Sequence, residues 1–498
     1  MLTVPAVPSE TICLNPSTEA EIARIASTHP GDVRALVDSA REAQRLWAST
    51  PIAQRLQVID RWRKTIAGEV DEWVEQLAIE IGKPRNESLG ELISTLDAIR
   101  WTVRNARRTL ADQRLGAGHQ RLMFLSNARL SWRSLGVIGM IGTWNYPLLL
   151  NAPVIAQALA AGNGVVWKPS ELAAPAGRRL QESLETAGFP KGLVSAVYGG
   201  SEVGRALIES GIDKGVFTGG VENGRKVLAE LGALGIPALA ELSGFDPAIV
   251  LADADVASSA HSLAWGAFTG AGQTCVAVKR IYVVGDARRW AEALSSEAHA
   301  LRVGDPSSER IDVGPMISKA ARERFHGQIR SAIQAGAKIL AGAAPIDRPG
   351  WFYAPTVLLA QDRRPEEALA GCFGPIAVVR GVATPDEAVS EANASVHALA
   401  ASVWGRDGRS AQRIAERLEA GMISVNDAVT PSAHAAAPFG GCKASGFGRT
   451  RGALGLREFA VPQTLQVRSS KGFRPQLYPY SDRGLRLFRA YLQFFHRP

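Results

Sequence analysis

Cysteine is scarce in this chain, with four in 498 residues. Cys13, Cys275, Cys372 and Cys442 lie far apart, with no Cys-x-x-Cys pair and no Cys/His cluster at ligand spacing. That excludes a disulfide framework, and no metal site is expected. A reducing, cytoplasmic compartment fits such usage. Met1 to Asn15 contain no basic segment followed by an apolar one, so no secretory signal is expected. Tyr146 to Trp167 carries no charge, but Pro147, Pro153, Gly162 and Gly164 interrupt it, and Asn151, Gln157 and Asn163 dilute it. It reads as a buried helix leading into a buried strand, not as a membrane span.

What is present is ordinary globular composition: 46% hydrophobic and 21% charged residues. Disorder and fibrous classes are excluded, and the length allows two to four domains at about 150 residues each. The net charge of +8 is concentrated at one end. Between Gln466 and Pro498 stand seven basic residues, Arg468, Lys471, Arg474, Arg483, Arg486, Arg489 and Arg497, against one acid, Asp482. That segment holds +6, which leaves the body nearly neutral and argues against a nucleic-acid partner.

Residues 31 to 112 are expected to be helical, because Val33, Val37, Ala40, Ala43 and Trp47, then Leu56, Ile59 and Ile66, recur at helical spacing. Residues 121 to 134 suggest two short strands around a turn. From Gly136 the pattern alternates. Strands are expected at Gly136 to Ile141, Gly164 to Lys168, Val194 to Tyr198 and Gly215 to Thr218. Helices are expected at Leu148 to Ala161, Ala176 to Ala187, Glu202 to Ser210 and Glu222 to Leu231. Such alternation implies a parallel α/β sheet, which binds nucleotides at the carboxyl ends of its strands. A second α/β stretch runs from about Ser258 to Asn426. Asp482 to Phe495 has helical spacing, with Leu485, Phe488, Tyr491, Leu492 and Phe495 on one face and Arg483, Arg486 and Arg489 on another. Such a helix can lie on an anionic membrane or pack on its own or a neighbouring subunit.

Several short segments could carry chemistry. Tyr198-Gly-Gly-Ser-Glu-Val-Gly204 and Phe217-Thr-Gly-Gly-Val-Glu-Asn-Gly-Arg225 are glycine-rich loops after strands, suited to a phosphate or equally to a tight turn. Lys168-Pro-Ser-Glu171 ends a strand with a lysine and an acid, a pair for ribose hydroxyls or a surface salt bridge. Cys275, in Phe268-Thr-Gly-Ala-Gly-Gln-Thr-Cys275, is a nucleophile candidate or a small buried hydrophobe. Cys442 lies in a similar glycine-rich run, Pro438-Phe-Gly-Gly-Cys-Lys443, and chemistry alone does not reject it.

In order, these segments resemble the NAD(P)-dependent aldehyde dehydrogenase superfamily over about Asn15 to Val467. The series comprises Asn15-Pro-Ser-Thr, Gly82-Lys-Pro84, Thr143-Trp-Asn-Tyr-Pro147, Lys168-Pro-Ser-Glu171, Phe217-Thr-Gly219, Glu241-Leu-Ser-Gly244, Gly272-Gln-Thr-Cys275, Phe373-Gly-Pro375 and Pro438-Phe-Gly-Gly441. The resemblance implies Cys275 as the thiolate that attacks an aldehyde, Asn145 as an oxyanion donor paired with the Cys275 N–H, and Glu241 as the base that activates water on the thioester. It implies cofactor contacts at Trp144, Lys168, Ser170, Glu171, Gly200, Gly204, Phe217, Gly219, Gly220, Leu242 and Phe373. Glu171 accepts from a ribose 2′-hydroxyl and repels a 2′-phosphate, so NAD is expected over NADP.

The chain departs from the family pattern at four places. Gly371 stands where the family carries the glutamate that holds the nicotinamide ribose. Gly220 replaces a serine, and Gly270 an asparagine. Ser243 and Phe245 alter the run after Glu241. Leu150, Pro153, Thr274 and Val276 match funnel positions, and Pro153 in place of a bulky aromatic suits a long or bulky apolar aldehyde.

The expected fold is α/β and aldehyde dehydrogenase-like. A Rossmann-type domain is expected over 1–120 and 136–249, and a catalytic domain over 250–435. A small β oligomerisation arm is expected over 121–135 and 460–472, and a basic amphipathic tail over 473–498. The expected assembly is a homodimer or homotetramer. A coenzyme A-acylating enzyme and a catalytically impaired scaffold are the alternatives. Glu241 argues against the first, and the set Cys275, Asn145 and Glu241 against the second.

Overall fold

The computed structural model describes residues 9–116, 126–307, 310–361, 364–468 and 474–496. Val33, Val37, Ala40 and Trp47 are buried on one face of the helix Val33–Ser49, as their spacing predicts. Three further helices, Ile52–Gly68, Val70–Ile81 and Arg85–Thr109, follow. Their tryptophans, Trp62 and Trp73, join Trp47 in one core with Ile155, Leu159 and Trp167 of the first sheet layer. Gly82 ends the third helix at φ +74, and a Cβ there would lie 2.6 Å from Pro315. Only glycine fits that turn.

The first sheet has six strands, in the order Gly446–Phe447, Ala238–Leu242, Lys214–Gly219, Val137–Ile141, Gly164–Lys168 and Val194–Ala196. All neighbours run parallel except the short Gly446–Phe447 edge. Helices Ala152–Ala160, Ala174–Thr186, Ser201–Glu209 and Val221–Ala233 alternate with these strands. The helix expected from Leu148 starts instead at Ala152. The Glu91 carboxylate accepts from the Leu148 and Leu149 N–H groups at 2.8 and 3.2 Å, which holds that segment as turns.

The second sheet has seven strands, ordered Lys338–Ala341, Thr356–Ala360, Ile376–Val382, Val278–Val284, Asp246–Val250, Ala400–Trp404 and Met422–Val425. Only the Lys338–Ala341 edge is antiparallel. A third, antiparallel sheet pairs Ala460–Arg468 with Ser126–Ser134, and that strand with Gln113–Leu115. Two short strands were expected within 121–134. Ser126–Ser134 is instead one continuous strand, and 121–125 lie outside the described residues. Asp482–Phe495 is a helix capped by the Ser481 side chain and exposed along most of its length. No helix among the described residues is long and apolar enough to cross a membrane.

Candidate active site

A single cavity of about 970 Å³ lies between the carboxyl ends of the first sheet and the loop that carries Cys275. Its walls include Trp144, Asn145, Gly219, Gly220, Glu241, Leu242, Cys275 and Phe373. All three expected catalytic residues and five of the expected cofactor residues therefore converge on one space.

Cys275 sits between the helix Val256–Phe268 and the strand Val278–Val284. The intervening loop is built on left-handed backbone at Gly270, Ala271 and Gly272, with φ of +61, +53 and +66. A Cβ on Gly272 would meet the Gly374 oxygen at 2.1 Å, so the loop packs directly on the Phe373-Gly374-Pro375 turn. The buried Lys279 ammonium ties the two together, donating to the Gly272 and Gly374 carbonyls at 2.8 and 2.6 Å. At the other side of the loop the Glu87 carboxylate accepts from the Gly270 N–H at 2.9 Å and the Thr269 hydroxyl at 3.0 Å. Cys275 itself is half-buried. Desolvation, and then the Glu241 and Asp246 carboxylates, push its thiol up to about 12, while Arg451 opposes them.

Glu241 is buried near the end of the strand Ala238–Leu242. Burial raises its carboxyl to about 7, against a hydrogen bond from Thr450 and the charges of Arg451 and Arg449. The Thr450 hydroxyl donates a short hydrogen bond to Glu241 Oε1. Asn145 is also buried, and its amide is oriented at both ends. Asn145 Nδ2 donates to the Gln273 carbonyl at 2.9 Å, and Asn145 Oδ1 accepts from the Thr143 hydroxyl at 2.9 Å. Lys83, paired with Glu91, donates to the Asn145 backbone oxygen at 2.8 Å. The amide keeps one further N–H for a ligand.

Also in the lining, Trp144 and Phe373 meet edge-on at 5.7 Å between ring centroids. A Cβ on Gly220 would meet nothing within 4 Å, so the backbone there is open to a ligand. Lys168, Ser170, Glu171, Gly200, Gly204 and Phe217 are not among the residues lining this cavity. Lys168 is buried and donates to the Gly199 carbonyl at 2.8 Å and to Glu171 at 3.1 Å. Gly204 packs beside the Lys168 stem, and the Gly200 N–H is taken by Glu202 at 2.9 Å. The Ser170 hydroxyl accepts from the Leu172 N–H, and Phe217 is buried against Ala240 and Leu242.

Cys275 also adjoins an apolar cluster of Leu150, Val276, Leu399, Phe439 and Tyr146. Three expected funnel residues, Pro153, Thr274 and Val276, are not among those lining the cavity, and Val276 is buried in that apolar cluster. The Thr274 hydroxyl is engaged by Tyr146 at 2.9 Å and the Thr269 carbonyl at 3.2 Å, and Pro153 is buried in the first turn of its helix. Sequence reasoning missed Thr450, Arg451, Lys279 and Glu87. Each acts on a residue far away in the chain, and no local motif announces it. Cys442 is not among the residues lining the cavity, although Phe439 and Ala444 on either side of it are.

Comparison with known proteins agrees with this picture. Residues 5–465 match the aldehyde dehydrogenase family. The chain is 34% identical to the 4,4'-diapolycopene aldehyde oxidase of a Methylomonas species over 473 residues, covering 94% of this chain and 88% of that one. It is 30% identical to the NADP(+) succinate-semialdehyde dehydrogenase of Mycobacterium avium, over 92% of this chain and 97% of that one. Betaine aldehyde dehydrogenase from Staphylococcus aureus, solved in complex with NAD+, superposes with a TM-score of 0.88 at 28% identity, over 94% of each chain.

Proposed function

The chain belongs to the aldehyde dehydrogenase family, and from that premise we propose that it oxidises an apolar aldehyde to the carboxylic acid with NAD, hydrolysing its own acyl intermediate. The observation that carries this reading is the convergence of Cys275, the Asn145 amide and the buried Glu241 on one cavity.

Cys275 Sγ attacks the aldehyde carbon as the thiolate, its proton released to solvent, while Glu241, a base poised near neutrality, stays free for the hydrolytic step. The new oxyanion accepts from the free Asn145 N–H and the Cys275 backbone N–H. A donor of this kind is worth about 3–4 kcal/mol of transition-state stabilisation. Trp144, Gly219, Gly220, Leu242 and Phe373, which line the cavity, would hold a dinucleotide, and when bound it would supply the hydride acceptor that takes the thiohemiacetal to a thioester. Glu241 then takes a proton from water, the hydroxide adds to the thioester carbon, and the cysteine thiolate leaves. An enzyme that passed its acyl group to coenzyme A would have no use for this base.

Glu171, held by Lys168, supports NAD over NADP. The apolar cluster beside Cys275 supports an apolar substrate, and the name of the Methylomonas relative points the same way. Glu241→Gln is expected to accumulate an acyl-enzyme on Cys275, visible as a mass increase in the intact protein, while steady turnover falls at least ~100-fold. Absence of any acyl adduct on Cys275 contradicts the reading.

The three-stranded sheet is proposed to join subunits into a homodimer or homotetramer. The tail helix is proposed to rest on an anionic lipid surface. Its arginines match that charge, and Leu485 and Leu492 are about half exposed beside them. Truncation after Arg474 is expected to abolish sedimentation with anionic phospholipid vesicles. Unchanged sedimentation rejects the membrane role.

A further inference from the structure

We propose that His397 holds the nicotinamide-side ribose of the dinucleotide, in the volume that a side chain at Gly371 would otherwise fill. Gly371 is exposed and has φ +71. A Cβ built on it meets a single neighbour within 4 Å, His397 Nε2 at 3.9 Å. The imidazole thus borders the space that a side chain at 371 would enter. The space between them opens into the cavity shared by Gly371, Phe373, Trp144 and Cys275.

Fixed surroundings aim the ring. His397 begins a two-residue strand paired with Lys443, and its backbone N–H donates to the Ser395 hydroxyl at 3.1 Å. The ring packs edge-on against Phe245, 6.4 Å between centroids. Arg280 is held behind it by the Phe245 carbonyl at 2.9 Å and the Tyr282 hydroxyl at 3.2 Å. His397 Nδ1 is buried with no hydrogen-bond partner among the described residues. A half-buried imidazole without a polar partner carries a desolvation cost that a ligand hydroxyl would relieve. Burial, then Arg280 and Arg225, hold it below its ordinary value. Nε2, the ring atom facing Gly371, can donate to or accept from one ribose hydroxyl according to the tautomer. A carboxylate can only accept, so the chain exchanges a charged acceptor for a neutral group reached from a different strand.

The inference rests on the dinucleotide reading above, and binding measurements separate the two. Calorimetric titration of the full chain with NAD and with ADP, which lacks the nicotinamide ribose, is the experiment. His397→Ala is expected to weaken NAD by about tenfold, the scale of one well-placed hydrogen bond, and to leave ADP unchanged. His397→Gln is expected to recover part of the NAD affinity. NAD affinity within about twofold of the parent in His397→Ala overturns the proposal, as does equal weakening of NAD and ADP. A parent chain that binds neither ligand overturns the dinucleotide reading, and this inference with it.

Discussion

At the scale of residues, the proposed chemistry turns on how Glu241 is held between two protonation states. Its carboxyl lies near 7 because burial raises it and the Thr450 hydroxyl and two arginines pull it back. A base must be deprotonated to act, so turnover is expected to rise with pH through about 7 and to level off above it. Thr450→Val removes a hydrogen bond to the charged form, so the rising limb should move to higher pH. A pH–rate profile of the two proteins checks this, and an unmoved limb argues that Glu241 is not the titrating base. Cys275, Asn145 and Glu241 were each legible in the sequence because each stands at a fixed place in a short motif. Thr450 was not, since it stands 209 positions after Glu241 and meets it only once the intervening chain has folded. Lys279 and His397 were illegible for the same reason. Their partners, Gly272 and Gly374 for the one and the space over Gly371 for the other, come from separate elements.

At the scale of elements, the loop before Cys275 is the most constrained part of the site. Three successive left-handed residues, a lysine strap and a glutamate clamp fix where the thiol points. Gly272→Ala would place a methyl 2.1 Å from the Gly374 oxygen and force the loop off the Phe373 turn. Displacement of the nucleophile by about 1 Å can cost roughly 100-fold in rate. The expected result is that kcat falls on that scale while ADP binding, proposed at Lys168 and Glu171, is kept. A variant with normal kcat contradicts the strap's positioning role. Elements with strong periodicity or clear punctuation were readable: the βαβ run is found with its boundaries shifted by a few residues at most. The late start of the Ala152–Ala160 helix was not readable, because a carboxylate 57 residues upstream sets it. Pro153 and Thr274 were misplaced for a related reason. Adjacency to a motif says nothing about which way a side chain turns once its hydroxyl or ring finds another partner.

At the scale of the whole molecule, the near-neutral body and the basic tail point to different partners. The body exposes Val461, Leu465 and Val467, three apolar residues on one face of the edge strand Ala460–Arg468. An exposed apolar edge strand needs cover, and a second copy of the chain supplies it in the proposed assembly. Leu465→Asp is expected to lower the mass measured by light scattering, and an unchanged mass would move the subunit contact elsewhere. The α/β architecture was legible from alternation alone, whereas the order of the seven-stranded sheet was not, because the connections from Val278–Val284 to Lys338–Ala341 and from Ile376–Val382 to Ala400–Trp404 join strands that are not neighbours and leave no local trace. The central claim is that one cavity performs thiol-dependent, coenzyme A-independent oxidation of an apolar aldehyde. Its most direct test is NADH absorbance with NAD, a long-chain aldehyde and no coenzyme A, for the parent and for Cys275→Ala. Steady NADH production in the parent that vanishes in the variant is the predicted result, and production that persists without Cys275 would contradict the account.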